Sequence, residues 1–293
     1  MMRSLYSGIT GLRNHQTRMD VIGNNISNVN TPGYKASRVI FQDIFSQTLS
    51  PASGNSTATG GTNPKQVGLG STLASIDVLH TPSASQYTGV PLDLSIDGSG
   101  FFVIRNNGQE FYTRAGNFGT DNSDYLVNGN GAYVLGYVGA TAPASPAPAP
   151  TQIKIADYYY DVAVDDKGVI TGIDGRETIP DPDDPDGDPI PNDKYKEKVT
   201  IGYVAIATFN NENALEKVGQ SAYRASTNSG TATYNTPGKG VAGKLTPGTL
   251  EMSNVDLASE FTDMIVTQRG FQANSRIITT SDTMLEELVN LKR

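Results

Sequence analysis

The sequence predicts an α+β protein: an antiparallel α-helical coiled-coil pair built from its two ends, plus a central antiparallel β domain. Three observations predict it. Apolar residues recur at every seventh position near both termini, the spacing of a helical seam. From residue 73 the period drops to two, as in half-buried strands. The 293 residues include 31 Gly and 16 Pro, concentrated in stretches that suit turns and linkers. The domain boundaries expected are 1–33 and 250–293 for paired terminal helices forming an inner core, 34–72 for an extended linker, and 73–249 for a β-rich outer domain with a Pro/Asp-rich insertion around 140–195.

At the N-terminus, Leu5, Leu12, Met19 and Ile26 form one apolar row, with Met2, Ile9, Gln16 and Gly23 as its half-apolar companion. Near the C-terminus, Leu257, Met264, Phe271, Ile278 and Leu285 repeat the pattern, beside Phe261, Gln268, Ser275, Asp282 and Val289. Ile265, Leu288 and Leu291 widen that stripe. A lone amphipathic helix gains little in water until its apolar face is covered. The two helices are therefore expected to pack on each other, antiparallel, rather than singly on the chain's globular core. Such a pair leaves Ile22, Val29, Ile265 and Leu288 in surplus, which predicts contacts with further copies.

The first helix runs into VIGNNISNVNTPGY, where Pro32 removes a donor and Gly33 frees the backbone, so it stops there. Asn24, Asn25, Asn28 and Asn30 can bond to backbone at that end and bridge to adjacent chains. Plain amide capping is the simpler account of the same residues. The second helix has Ser253 or Asn254 as a candidate cap, Asp256 and Glu260 in its first turns, and Lys292 and Arg293 at its other end, as the helix dipole prefers.

Residues 34–49 suit a short helix or an extended segment, and SPASGNSTATGGTNPKQVGLGST at 50–72 has the composition of a linker. LASIDVLH and PLDLSIDGSGFFVI then alternate, placing Leu92, Leu94 and Ile96 on one face and Asp93, Ser95 and Asp97 on the other. EFYTRAGNF and YLVNGNGAYVLGY continue the series, with Asn128-Gly129 as a hairpin signal. ATAPASPAPAP suits a polyproline spacer, and KVTIGYVAIATF returns to strand. PDPDDPDGDPIPND at 180–193 carries oxygen ligands that could take Ca²⁺, but its spacing is not that of an EF-hand, and a solvated acidic loop is expected.

Composition excludes several functions. The balance of 22 Lys+Arg against 30 Asp+Glu gives a formal charge of −8, which argues against nucleic acid or anionic lipid as partner. No Cys is present and only His15 and His80 represent histidine, so thiol, Cys-metal and most acid–base chemistry lack material. His15 is expected on the polar flank of the first helix and His80 at a strand end. The catalytic motifs GxSxG, HExxH and the P-loop are missing, and Gly68-Leu69-Gly70 is a turn in a linker. No enzyme activity, cofactor or metal is expected. No run of apolar residues is long enough to span a membrane, and the N-terminus lacks a secretory signal's apolar core.

Three stretches carry a family resemblance: LYSGITGLRNHQTRMDVIGNNISNVNTPGYKASRVIF, PLDLSIDGSGFFVI with FYTRAGNF, and LEMSNVDLASEFTDMIVTQRGFQANSRIITTSDTMLEELVNLKR. They resemble the bacterial flagellar rod and hook protein family, in the right order along the chain; Ser27 stands where Ala is commoner. The resemblance implies a structural subunit whose terminal helices line a hollow helical polymer, exported unfolded without a cleaved signal peptide to the extracellular flagellum. Within the family, MIVTQRGFQANSRIITTSDTMLEELVNLKR and GAYVLGY point to a hook-type subunit, a flexible joint that transmits torque, with a distal rod subunit as the alternative. Other copies, the distal rod, hook-cap and hook–filament junction proteins and the export apparatus are the partners implied. From outside the family, a surface adhesin would use the exposed rings of DYYYDV, Tyr158 to Tyr160.

Overall fold

The computed structural model describes residues 2–54, 60–139, 141, 143, 147–179, 190–191 and 197–291. Contacts divide the chain into two units: Met1–Val29, Ala36–Leu79 and Val255–Arg293 in the first, Asn30–Lys35 and His80–Asn254 in the second.

The first unit holds both long helices, α1 (Met2–Ser27) and α2 (Leu257–Asn290). They run side by side in opposite directions. Arg18 pairs with Asp263 at 3.1 Å, Asn25 reaches Glu260 at 3.0 Å, and a Cβ on Gly8 would lie 3.4 Å from Ile278. The closest contacts join Gly8, Gly11, His15, Arg18 and Asn25 to Ile278, Asn274, Gly270, Asp263 and Glu260, beside and partly within the predicted apolar rows, to which Ile278 belongs. Glycine allows the close approach. A Cβ on Gly11 would come 2.5 Å from the Asn274 amide, and one on Gly270 would come 2.6 Å from the His15 ring. Only hydrogen at these points lets the backbones approach this closely. His15 is accordingly in the seam and half-buried, not on a polar flank.

The segment 34–72, expected as an extended linker, contains three strands and the start of a fourth. Ser37–Asp43 pairs antiparallel with Ser71–Val78, and Ser46–Ser50 with Lys65–Gly68. Val39, Ile40 and Phe41 supply the β-propensity, and Asn14 Nδ2 of α1 donates to Ser71 Oγ at 2.8 Å. Within 50–72, Lys65–Gly68 and the start of Ser71–Val78 are strand despite the turn-rich composition. The cap of α2 is Asp256, whose carboxylate accepts from Ala258 N at 3.0 Å, and not Ser253 or Asn254. Those two residues bond instead to Ser83 and Thr81 in the second unit. Lys292 and Arg293 lie outside the described residues.

The second unit is built on an antiparallel sheet. Its spine runs Tyr159–Val164, Val169–Asp174, Lys198–Val204, Tyr133–Val138, Phe101–Asn106, Gln109–Thr113, Ala222–Arg224. Leu94, Phe102, Leu126, Val134, Ile153, Ile170, Val204 and Ile206 form its core, each at most 1% exposed. The Asn128-Gly129 signal is a hairpin turn, closed by Asn128 Oδ1 accepting from Asn130 N and Ala132 N. The strand Leu94–Asp97 departs from the alternating expectation. Ser95 is fully buried and shares a 2.6 Å hydrogen bond with Thr249, so both faces are covered there. Most of the acidic 180–193 stretch, and with it the Ca²⁺ reading, lies outside the described residues, as does part of the Ala/Pro spacer.

Candidate assembly site

In the first unit Leu5, Leu12, Met19, Ile26, Met264, Phe271, Ile278 and Leu285 are half-buried, Ile278 facing Gly8 across the helix pair. Ile9, Leu257, Phe261, Ile265, Val266 and Leu288 are exposed, Ile265 by 59% and Phe261 by 50%. Ile22, expected in the exposed surplus, is instead buried in the seam. Leu257, Phe261 and Ile265 are each four residues apart on α2, so they form one exposed apolar band on that helix.

The asparagines divide by position. Asn25 is 1% exposed and acts as a junction: its Nδ2 donates to Ser37 O at 2.9 Å and to Glu260 Oε1 at 3.0 Å, and its Oδ1 accepts from Ser37 N at 3.0 Å. One side chain thus ties α1, α2 and the first strand together. Burial raises the Glu260 pKa, against the hydrogen bond from Asn25. Asn28 Nδ2 returns to Asn24 O at 2.9 Å, closing the helix end, while Asn24 and Asn30 are exposed. Amide capping is present at Asn28, and Asn25 bridges elements of its own chain.

The second unit contains a buried charge cluster that sequence reasoning missed. Lys35 Nζ meets Glu251 Oε1 at 2.6 Å and Thr81 O at 2.6 Å. Arg114 Nη1 lies 3.3 Å from Glu251 Oε2, its Nη2 donates to Gly98 O at 2.9 Å, and its guanidinium stacks 5.2 Å from the Phe101 ring. Ser83 N also donates to Glu251 Oε1, at 3.2 Å, and Gly33 N to Glu251 O at 2.8 Å. Burial lowers the Lys35 pKa despite the pull of Glu251, and raises that of Glu212 nearby. His80 packs edge-on against Phe101 and Tyr223, each 5.4 Å away. Burial, with Arg114 and Lys35 adding to it, pushes its imidazole down to about 4. In the chain, Lys35 follows the end of α1 and Glu251 precedes α2, so the cluster fastens both exits from the β unit. The available signal was a single charge standing inside each apolar phrase, FYTRAGNF and GTLEMS.

Of the rings of DYYYDV, Tyr158 is covered by the Arg176 guanidinium at 3.7 Å and Tyr160 is exposed, beside a bulge where Asp161 takes φ 52°. Among the described residues no group of three His, Asp or Glu is placed to hold a metal, and no helix is long and apolar enough to cross a membrane.

Helices from both chain ends laid side by side with an apolar band exposed on them, and an antiparallel β unit encoded between them in the chain: these define a structural subunit of the kind that assembles through its termini. Residues 5–35 match the family described as "Flagella basal body rod protein", residues 95–172 the "Flagellar hook protein FlgE/F/G D1 domain", and residues 246–291 the "Flagellar basal body rod FlgEFG protein C-terminal". The chain is 50% identical over 294 positions to the flagellar basal-body rod protein FlgG of Bacillus subtilis, spanning the whole of both. It is 32% identical to the flagellar hook protein FlgE of Treponema pallidum, over 463 positions covering the whole of both. The flagellar basal-body rod protein FlgG of Caulobacter vibrioides is 32% identical over 99% of this chain and all of that one. The chain belongs to the flagellar rod and hook axial protein family, as the resemblance in its sequence implied.

Proposed function

We propose that this chain is a distal-rod-type subunit that polymerises head to tail into a straight, hollow tube in the flagellar basal body. One observation carries the choice. The relatives named as rod proteins align over nearly this chain's own length, 294 positions for that of Bacillus subtilis, whereas the hook-named relative of Treponema pallidum needs 463. The extra positions belong to segments this chain lacks. The exposed band of Leu257, Phe261 and Ile265 on α2 supports assembly through the helix pair, as does the exposed Ile9 on α1. Heterologous contacts that do not close a ring give an open helical polymer, in which the helix pairs of successive subunits would complete a coiled-coil inner layer. Its partners would be further copies, adjoining axial proteins and the flagellar export apparatus, which would pass the chain without a cleaved signal.

The second reading is the hook, a bending joint that transmits torque; the 32% identity to a hook protein over the whole chain favours it. Electron microscopy of polymers grown from the purified full chain separates the two. Straight tubes are expected. Tubes that curve and switch curvature would move the assignment to the hook, and a persistent monomer at high concentration would sink both.

A further inference from the structure

In the second unit, the strands Val169–Asp174 and Lys198–Val204 pair antiparallel and carry opposite chemistry at their two ends. At one end Val169 is paired with Tyr203, and both line a cleft of about 440 Å³. Lys167, Lys239 and Lys244 stand around it against one carboxylate, Asp166. Lys167 and Lys244 are exposed and make no ion pair with a described residue, and Lys239 Nζ reaches only Pro143 O, at 3.4 Å. Thr236, 4% exposed, lines the same cleft with a hydroxyl that has no hydrogen-bond partner. A buried hydroxyl in that state is a donor in want of an acceptor. On a chain of net charge −8 this cluster of unpaired cations stands out.

At the other end Ile173 is paired with Lys198, and the chain continues to a short ladder joining Ile179 to Ile190. Between those two residues the sequence is PDPDDPDGDP: five carboxylates, four prolines and no cation. The six residues of Val169–Asp174 span about 17 Å at roughly 3.3 Å per residue. The basic cleft and the chain's path towards the acidic segment therefore lie at opposite ends of this strand pair, an arrangement suited to meeting across a head-to-tail contact.

We infer that the cleft receives the acidic 180–189 segment of a second copy of this chain. The carboxylates pair with Lys167, Lys239 and Lys244, one of them accepts from the Thr236 hydroxyl, and proline rings lie on Tyr203 and Pro237. The inference rests on the chain being a head-to-tail polymer, and it adds a contact made by the β unit.

The chain has no Cys, so cross-linking tests it directly. Lys244→Cys and Asp184→Cys are introduced together into the full-length protein, which is oxidised gently as polymer and as concentrated monomer. A ladder of disulfide-linked oligomers on a non-reducing gel is expected, with either single variant giving at most dimers. Its yield should fall as salt is raised, and by about tenfold or more when Lys167→Glu and Lys239→Glu are added, since like charges then face each other. Adding Asp183→Lys and Asp186→Lys to those should restore it. A fast-migrating monomer closed on itself would overturn the inference, because the segment would then dock in its own copy. So would dimers alone in both samples. Stabilisation of the monomer by inorganic phosphate without a ladder would make the cleft a small-anion site instead. Microscopy of the reduced protein judges polymer formation separately: tubes without a ladder sink this contact and leave the proposed function standing.

Discussion

Replacing Glu251 by Gln should unfold the β unit more easily than any surface change on it. The substitution keeps the shape of the side chain and removes one charge. Lys35, Glu251 and Arg114 are 0%, 2% and 1% exposed, so water cannot take over the lost interaction. Two cations are left facing each other without their shared carboxylate. Breaking a buried ion pair from one side costs about 3–5 kcal/mol. That is a large part of the roughly 5–15 kcal/mol by which domains of this kind are stable. Tyrosine fluorescence under urea follows the right unit, because every Tyr except Tyr6 lies in it and the chain has no Trp. The Glu251→Gln midpoint should shift by the equivalent of at least about 3 kcal/mol. Lys35→Met placed in the same background should recover part of the loss, since it removes one of the stranded cations, and the two changes should be strongly non-additive. A Glu251→Gln shift below about 1 kcal/mol, or simple additivity, would refute the claim that these three residues act as one buried unit.

Three further outcomes are expected. Because the His80 imidazole is held at about 4 when folded, against 6.5 ordinarily, the unfolded chain takes up the proton first as pH falls. Its contribution is complete above pH 6.5 and is lost progressively towards pH 4, by roughly 3 kcal/mol in all; thermal melts should show a shallower acid slope for His80→Gln than for wild type, and equal slopes would count against this. Gly33 has φ +69°, and a Cβ there would lie 2.7 Å from Arg114 C and 2.8 Å from Ala115 Cα. Gly33→Ala should therefore destabilise by about 2 kcal/mol or more, and a wild-type melting temperature would contradict that. Phe261→Asp combined with Ile265→Asp changes two residues that are half exposed or more, so helix content by circular dichroism should stay unchanged while polymers vanish in electron microscopy; normal tubes from the pair would remove the apolar band from assembly.

Local chemistry made much of this legible. The long apolar period announced α1 and α2, Pro32 and Gly33 marked where α1 stops, and period two announced the strands around Phe101–Asn106. The family signature lay in the same residues. Asn25 was singled out for its amide, and its amide is what ties three elements together. By contrast, 50–72 looked like a linker because its turn residues outnumber its short β runs, and a ribbon this short is held only by pairing that a local window does not contain.

By itself the sequence determined that both ends are amphipathic helices, that the middle is antiparallel β, and to which family the chain belongs, since each depends on spacing within a few turns or strands. Only the tertiary structure decided where the two helices come closest: at Gly8, Gly11 and Gly270, where missing side chains let the backbones close. Only the tertiary structure, too, joined Lys35 to Glu251 across 216 residues of chain, because a buried charge is tolerable only where the fold brings its partner.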